Sequence, residues 1–323
     1  MKQKLTTRFT ERFGLDHPIA LAPMDKVAGG RLAAAVSAAG GLGLIGGGYG
    51  EAAWLDRAIS QAGNQRVGVG FITWSVARQP ELIEAALARA PAGLMVSFGD
   101  AEEMISAAKA ADVPTLWQVQ RLNQAEQALK AGVDVLVVQG QEAGGHGMDR
   151  GLTALLPAVR DRAGPEQIIL AAGGIADGRG LAASLMLGAD GVLMGTRFWA
   201  STEAEGSAAA KAALVASGGD ETVRSKVFDV ARGVDWPWHF TGRIVANDFL
   251  KRWHGNIDAL KQESAAQQAI YEASDPDDFS TRVLIAGEAL DLIASIETAR
   301  DIVETTVSEA HALLCESSRY LAS

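Results

Sequence analysis

The residues best placed to do chemistry gather at 133–147, where VDVLVVQGQEAGGHG turns from an apolar run into a polar, glycine-rich loop. The loop holds one imidazole, His146. Histidine titrates near neutrality, so it can exchange a proton at working pH. Three glycines around it predict little side-chain cover and room for a flat ligand to approach the main chain. The plainer reading of a loop histidine is a solvated surface residue. His146 is the one of five histidines at a predicted strand end. His17 precedes the first apolar run, His239 and His254 fall in a later helical part, and His311 sits in the last predicted helix. That dispersal and the lack of HExxH predict no metal cluster. Glu142 is close enough in sequence to orient His146, or it is a solvated carboxylate. Ser97 has no GxSxG setting.

A second constellation lies further on. AAGGI at 171–175 and the Gly195-Thr196 pair offer backbone N–H groups with little side-chain obstruction, plus one hydroxyl. Such donors favour an anion, and two adjacent loops of this kind predict a phosphate. There is no GxxxxGK[ST] motif. Residues 41–46 spell GxGxxG, but they run through a predicted strand rather than following one. A flat cofactor wedged between apolar strand ends, with Pro23-Met24 as one wall, suits flavin mononucleotide (FMN). Gln118 and Gln139 would offer amide contacts to its polar ring edge.

These groups need a scaffold. Eight short apolar runs, at 19–24, 42–47, 67–71, 94–98, 114–119, 133–139, 168–173 and 191–196, are mostly separated by helix-length segments. The runs are apolar throughout rather than alternating, as expected of parallel strands covered on both faces. The count predicts an α/β fold, a (β/α)8 TIM barrel, whose chemistry sits at the C-terminal strand ends. An open doubly wound sheet is the alternative. After residue 196 the chain grows richer in charge and tryptophan, with no strand-like run up to 277. Residues 203–217 and 244–273 read as helical, and RGVDWPWHF at 232–240 as an aromatic connector. The expected division is an FMN-binding TIM barrel at 1–202, a small α-helical domain inserted after strand 8 and covering the substrate at 203–280, and a segment at 281–323 that returns to the barrel.

Composition sets the bounds. The formal charge is −10 with no Lys/Arg cluster, so no nucleic-acid partner is expected. A single cysteine, Cys315, cannot form an internal disulfide and fits a cytoplasmic protein. The N-terminal stretch lacks the apolar core of a leader, and no apolar run is long enough to predict a membrane span.

Ala22-Pro23-Met24, QGQEAGGHG at 139–147, AAGGIADGRG at 171–180 and LGADGVLMGTRFWASTEA at 187–204 resemble the nitronate monooxygenase family, formerly called 2-nitropropane dioxygenases. The resemblance covers about residues 15–205 and extends more weakly to Gly287-Glu288-Ala289. It implies an FMN-containing barrel closed by a small helical domain. It also implies oxidation of alkyl nitronates, with nitroalkanes as further substrates, by O2 to a carbonyl compound and nitrite. His146 would be the catalytic histidine, taking the α-proton of a nitroalkane or holding the nitronate. Gly173, Gly174, Gly195 and Thr196 would hold the phosphate. Ala22, Met24, Gly70, Gln118, Gln139, Ala143 and Gly145 would surround the rest of the cofactor. Some relatives carry Asn at the position of Gly70 and Lys near that of Gln118; Trp74 could fill part of the space left. NAD(P)H-dependent quinone reductases and FMN-containing enoyl reductases share most of these motifs. A flavin-binding protein without catalysis is a third reading. The partners expected are a small nitronate or nitroalkane and O2, with a homodimer left open as the assembly.

Overall fold

The computed structural model describes residues 4–320, so the outermost ends of the first and last expected units lie outside the described residues. In chain order the strands are β1 (Ile19–Leu21), β2 (Leu44–Gly48), β3 (Gly68–Ile72), β4 (Leu94–Ser97), β5 (Thr115–Val119), β6 (Val135–Gln139), the short β7 (Gly145–Gly147), β8 (Ile168–Ala172) and β9 (Gly191–Met194). All but β7 form one parallel sheet in the order β1-β9-β8-β6-β5-β4-β3-β2. A bridge between Ala20 and Leu42 joins the two edges, with Leu21 N–H donating to Leu42 O and Leu42 N–H to Ile19 O. The sheet is therefore a barrel, as the eight apolar runs predict.

Uniformly apolar strands still have two faces, because successive side chains point to opposite sides. In β6, Val135 and Val137 join Ala20, Leu44, Met95, Leu116, Leu170 and Leu193 in one buried cluster inside the barrel. Leu136 and Val138 join the other cluster, under the surrounding helices. The helix Arg8–Phe13 places Phe9 and Phe13 in the inner cluster. Following the inner parity towards the C-terminal ends leads from Leu116 to Gln118, from Val137 to Gln139 and from Leu193 to Gly195. The interior thus changes from packed hydrocarbon to small and amide-bearing residues at the end where a site can form.

The region after β9 differs from expectation. It contains two strands, β10 (Thr222–Ser225) and β11 (Thr241–Val245), which form an antiparallel sheet with β7 in the order β10-β11-β7. The sequences TVRS and TGRIV are short and mix β-branched with charged residues. Strands of this kind, covered on one side, leave no continuous apolar run to detect. The helix expected over 244–273 is three shorter ones, Asp248–Trp253, Ile257–Gln262 and Ser264–Ala273. The first is capped by the Asn247 side chain, which accepts from Leu250 N–H, and Gly255 and Asn256 interrupt the run that follows. With the helix Val227–Ala231 they enclose a separate core including Phe228, Leu250, Trp253, Leu260 and Tyr271. The last helix, Ala299–Cys315, returns to the barrel, where Glu309 accepts from Gly178 N–H at 3.0 Å.

Candidate active site

A cavity of about 440 Å³ opens at the C-terminal ends of the barrel strands. It gathers every site residue expected from sequence. Ala22 and Met24 come from the end of β1, Gly70 from β3 and Gln118 from β5. Gln139, Ala143, Gly145 and His146 come from the end of β6 and the loop beyond it. Gly173 and Gly174 follow β8, and Gly195 and Thr196 follow β9.

The loop carrying His146 is not the bare turn its glycines suggest. Residues 145–147 are strand β7, held in register with Thr241, Gly242 and Arg243. Two arginines tie the preceding turn to the same sheet: Arg224 Nε and Arg243 Nε donate to Gln141 O at 3.1 and 2.9 Å. Burial and the adjacent Arg243 pull the Arg224 guanidinium down to about 10. Glu142 does not orient His146. Its carboxylate accepts from Leu152 N–H at 3.0 Å, at the start of the helix Leu152–Ala163.

Asp229 occupies the place expected for Glu142. Its Oδ1 lies 2.8 Å from His146 Nε2, and both side chains are 10% exposed. The imidazole also stacks on Trp236, with ring centroids 3.5 Å apart and planes 6° from parallel. The histidine expected to lack cover is therefore enclosed on one face and one edge. Burial is the largest influence on its basicity and holds it below the ordinary histidine value. The Asp229 hydrogen bond and charge oppose that shift, while the Arg232 and Lys226 cations reinforce it.

Trp236 is the centre of an aromatic wall. Its indole Nε1 donates to Tyr49 Oη at 2.8 Å. Trp74, Phe98 and Phe240 meet it edge-on at 5.3, 5.1 and 6.1 Å. Phe98 adopts a φ of 66°, unusual for a bulky residue and consistent with a conformation imposed by this packing. Arg232 also lines the cavity, and among the described residues its guanidinium has no hydrogen-bond or ion-pair partner. Burial raises the carboxyl of Asp25, another lining residue, against the opposing pull of Lys26 and Arg232.

Sequence reasoning missed Asp229, Arg232, Trp236, Tyr49 and Asp25. The aromatic connector at 232–240 was a usable signal for Trp236. Asp229 had none, because it lies in an unremarkable helix 83 residues from its partner.

The donor set fits an FMN. Gly173 and Gly174 have φ of 104° and 71°, values that side chains other than glycine rarely tolerate. Among the described residues their N–H groups and that of Thr196 donate to no backbone carbonyl outside their own elements. Thr196 Oγ1 accepts from Gly287 N–H at 3.0 Å, which leaves its own proton for an anion. Ala22, Met24 and Leu193 supply apolar surface for a ring. Of the two glutamines, Gln139 is already committed. Its Oε1 accepts from Gln118 Nε2 at 3.2 Å and Gln120 Nε2 at 2.9 Å, and its Nε2 donates to His146 O at 3.2 Å. Gln118 retains its amide oxygen for a ligand. Gly70 has a steric cause: a Cβ there would come 2.3 Å from Pro23 Cγ, so a larger residue would displace the Pro23 wall.

Comparison with known proteins gives four findings. The sequence matches the family described as nitronate monooxygenase over residues 6–67 and 73–309. It is 36% identical over 327 residues to the nitronate monooxygenase npaC of Metarhizium robertsii, covering 91% of this chain and 90% of that one. It is also 29% identical over 341 residues to a (3aS,4S,5R,7aS)-5-hydroxy-7a-methyl-1-oxo-octahydro-1H-indene-4-carboxyl-CoA dehydrogenase of Rhodococcus jostii, covering 95% and 96%. Among solved structures, FabK from Thermotoga maritima aligns with a TM-score of 0.84 at 28% identity, over 98% of this chain and 100% of that one.

Proposed function

The chain belongs to the nitronate monooxygenase family of FMN-dependent oxidoreductases, and from that premise we propose that it oxidises alkyl nitronates and nitroalkanes with O2, giving a carbonyl compound and nitrite. The observation that carries this reading is His146, held between a carboxylate and an indole on the wall of the cavity that also contains the glycine loops. A neutral imidazole there takes the α-proton of a nitroalkane; a protonated one holds a nitronate.

Bound FMN supplies the electron-transfer chemistry. The protein's part is positioning. Gly173, Gly174, Gly195 and Thr196 hold the phosphate through N–H groups and the Thr196 hydroxyl. Ala22, Met24, Ala143 and Gly145 lie against the cofactor, and Gln118 offers its free amide oxygen. Gly70 keeps the Pro23 wall in place. Gln139 acts indirectly, fixing Gln118 on one side and the His146 main chain on the other. Residues 203–280 cover the substrate, and Trp236 shields it from water.

The likeness to FabK and to the carboxyl-CoA dehydrogenase favours a second reading, nicotinamide-dependent redox chemistry beside an activated carbonyl group. One experiment separates the two. The purified yellow protein is mixed without oxygen with ethyl nitronate, and separately with NADH and NADPH. Loss of flavin absorbance with the nitronate, and nitrite release on admitting air, are expected. Loss only with a reduced nicotinamide would falsify the first reading.

A further inference from the structure

We infer that Asp229 is a positioning residue that makes His146 a base towards neutral carbon acids, so the preferred substrate class is the protonated nitroalkane rather than its preformed anion. This rests on the nitronate monooxygenase reading and specifies which protonation state of the substrate the site is built for.

The argument begins with hydrogen-bond roles. A carboxylate only accepts, so the 2.8 Å contact places the proton on His146 Nε2. In a neutral ring that leaves the lone pair on Nδ1, which has no protein partner among the described residues. The stack on Trp236 fixes the ring plane, and the β7–β11 pairing fixes the backbone beneath it. The base is therefore oriented before any substrate arrives.

Asp229 differs from a carboxylate that serves the fold. Asp190, also buried, receives Arg8 Nε, Arg160 and the Ile169 N–H at 2.8, 2.8 and 2.9 Å. Among the described residues Asp229 receives one hydrogen-bond partner, His146, and its Oδ2 is buried without any. Its charge is thus not spread over other donors and is available to the imidazole. The cations nearby are arranged differently. Lys226 donates to the carbonyls of Trp236 and Pro237, both at 3.2 Å, and Arg232 faces the cavity. Tyr49, reached through Trp236, and Asp25 and Lys26 complete the titratable groups around the cavity.

The step balances without an added reactant. The α-carbon proton passes to Nδ1, and the C–H electron pair moves into the nitro group to give the nitronate. The imidazolium so formed keeps its Nε2–H on Asp229, so the new positive charge arises beside a waiting negative one. A preformed nitronate needs no such base, and it would bring its charge towards the one already on Asp229.

The test compares Asp229→Asn and Asp229→Glu with wild type on nitroethane and on ethyl nitronate, together with ¹⁵N NMR of histidine-labelled protein. Equal FMN content and circular dichroism establish that the variants fold. In wild type the His146 signals, identified by their loss in His146→Asn, should show the proton on Nε2. For Asp229→Asn we expect kcat/KM on nitroethane to fall about a hundredfold, within the range of general-base effects, and kcat/KM on ethyl nitronate to fall by clearly less, because no C–H proton is removed from the anion. The acidic limb of the nitroethane pH profile, set by protonation of His146, should move to lower pH when the Asp229 charge is removed, and Asp229→Glu should recover part of the rate. Equal losses on both substrates, an unmoved profile or a proton on Nδ1 in wild type each overturn the inference. Wild-type inactivity on both substrates would instead overturn the reading it rests on, and the NMR result would stand apart.

Discussion

On the barrel side, the cavity wall is made of Ala22, Gly70, Gln118, Gln139 and Gly195, and strand parity alone explains why each faces inward. Beyond them stand Arg232 and Trp236, with Asp229 behind His146, brought in by a helix and connector that make no barrel strand. The first wall is small, flat and rich in amide groups, suited to a large planar ligand. The second is aromatic and charged, suited to a small reactive one. His146 lies on the seam, with its backbone in the sheet that joins the two and its imidazole against the second wall. The same barrel can therefore keep its cofactor side constant while the covering segment sets the chemistry.

Replacing the residue on the seam should separate the walls most sharply. His146→Asn removes the base without touching the glycine loops. Turnover of neutral nitroalkane should fall about 10²- to 10⁴-fold, the usual range for a lost general base. FMN should remain bound, as read from its absorbance after gel filtration. Unchanged turnover, or loss of FMN together with turnover, would show that the two walls are not separable here.

A smaller effect, on the other wall, is expected from Gly173→Val. The φ of 104° is strained for any L side chain, and a Cβ would lie 3.0 Å from Ala143 N. Such strain costs about 1–3 kcal/mol, and it falls on the loop assigned to the phosphate. The variant should lose FMN on dilution while an FMN-saturated sample keeps its pH profile. A variant that holds FMN as wild type does would remove Gly173 from the phosphate loop.

The difference between the walls also explains what the sequence could disclose. The eight apolar runs, their inner parity and the glycine pairs after β8 and β9 are local signals, each confined to a few residues. The Asp229–His146 pair joins positions 83 apart in sequence, and no periodicity links them. The strands β10 and β11 were missed because their polar alternation reads as loop until β7 supplies a partner. His146 looked exposed because its neighbours are glycines, yet its cover comes from Trp236, far away in sequence. Gly70 looked like a simple departure from some relatives, yet it keeps Pro23 in place.

The smallest expected effect tests burial at the second wall. Burial holds His146 below its ordinary value, and the Asp229 charge only partly offsets this. In the unfolded chain histidine titrates near about 6.5. Between the folded and unfolded values the unfolded chain binds more protons, so stability rises with pH across that window. The contribution is therefore complete above the unfolded value and is lost as pH falls through the window to the folded one. Thermal unfolding of wild type and His146→Asn between about pH 7.5 and 5 isolates it, because the remaining titrating groups are common to both. The Tm of wild type minus that of the variant should shrink as the pH drops. A constant difference would mean that His146 is not held neutral by its surroundings, and the second wall would then be wetter than the Trp236 stack implies.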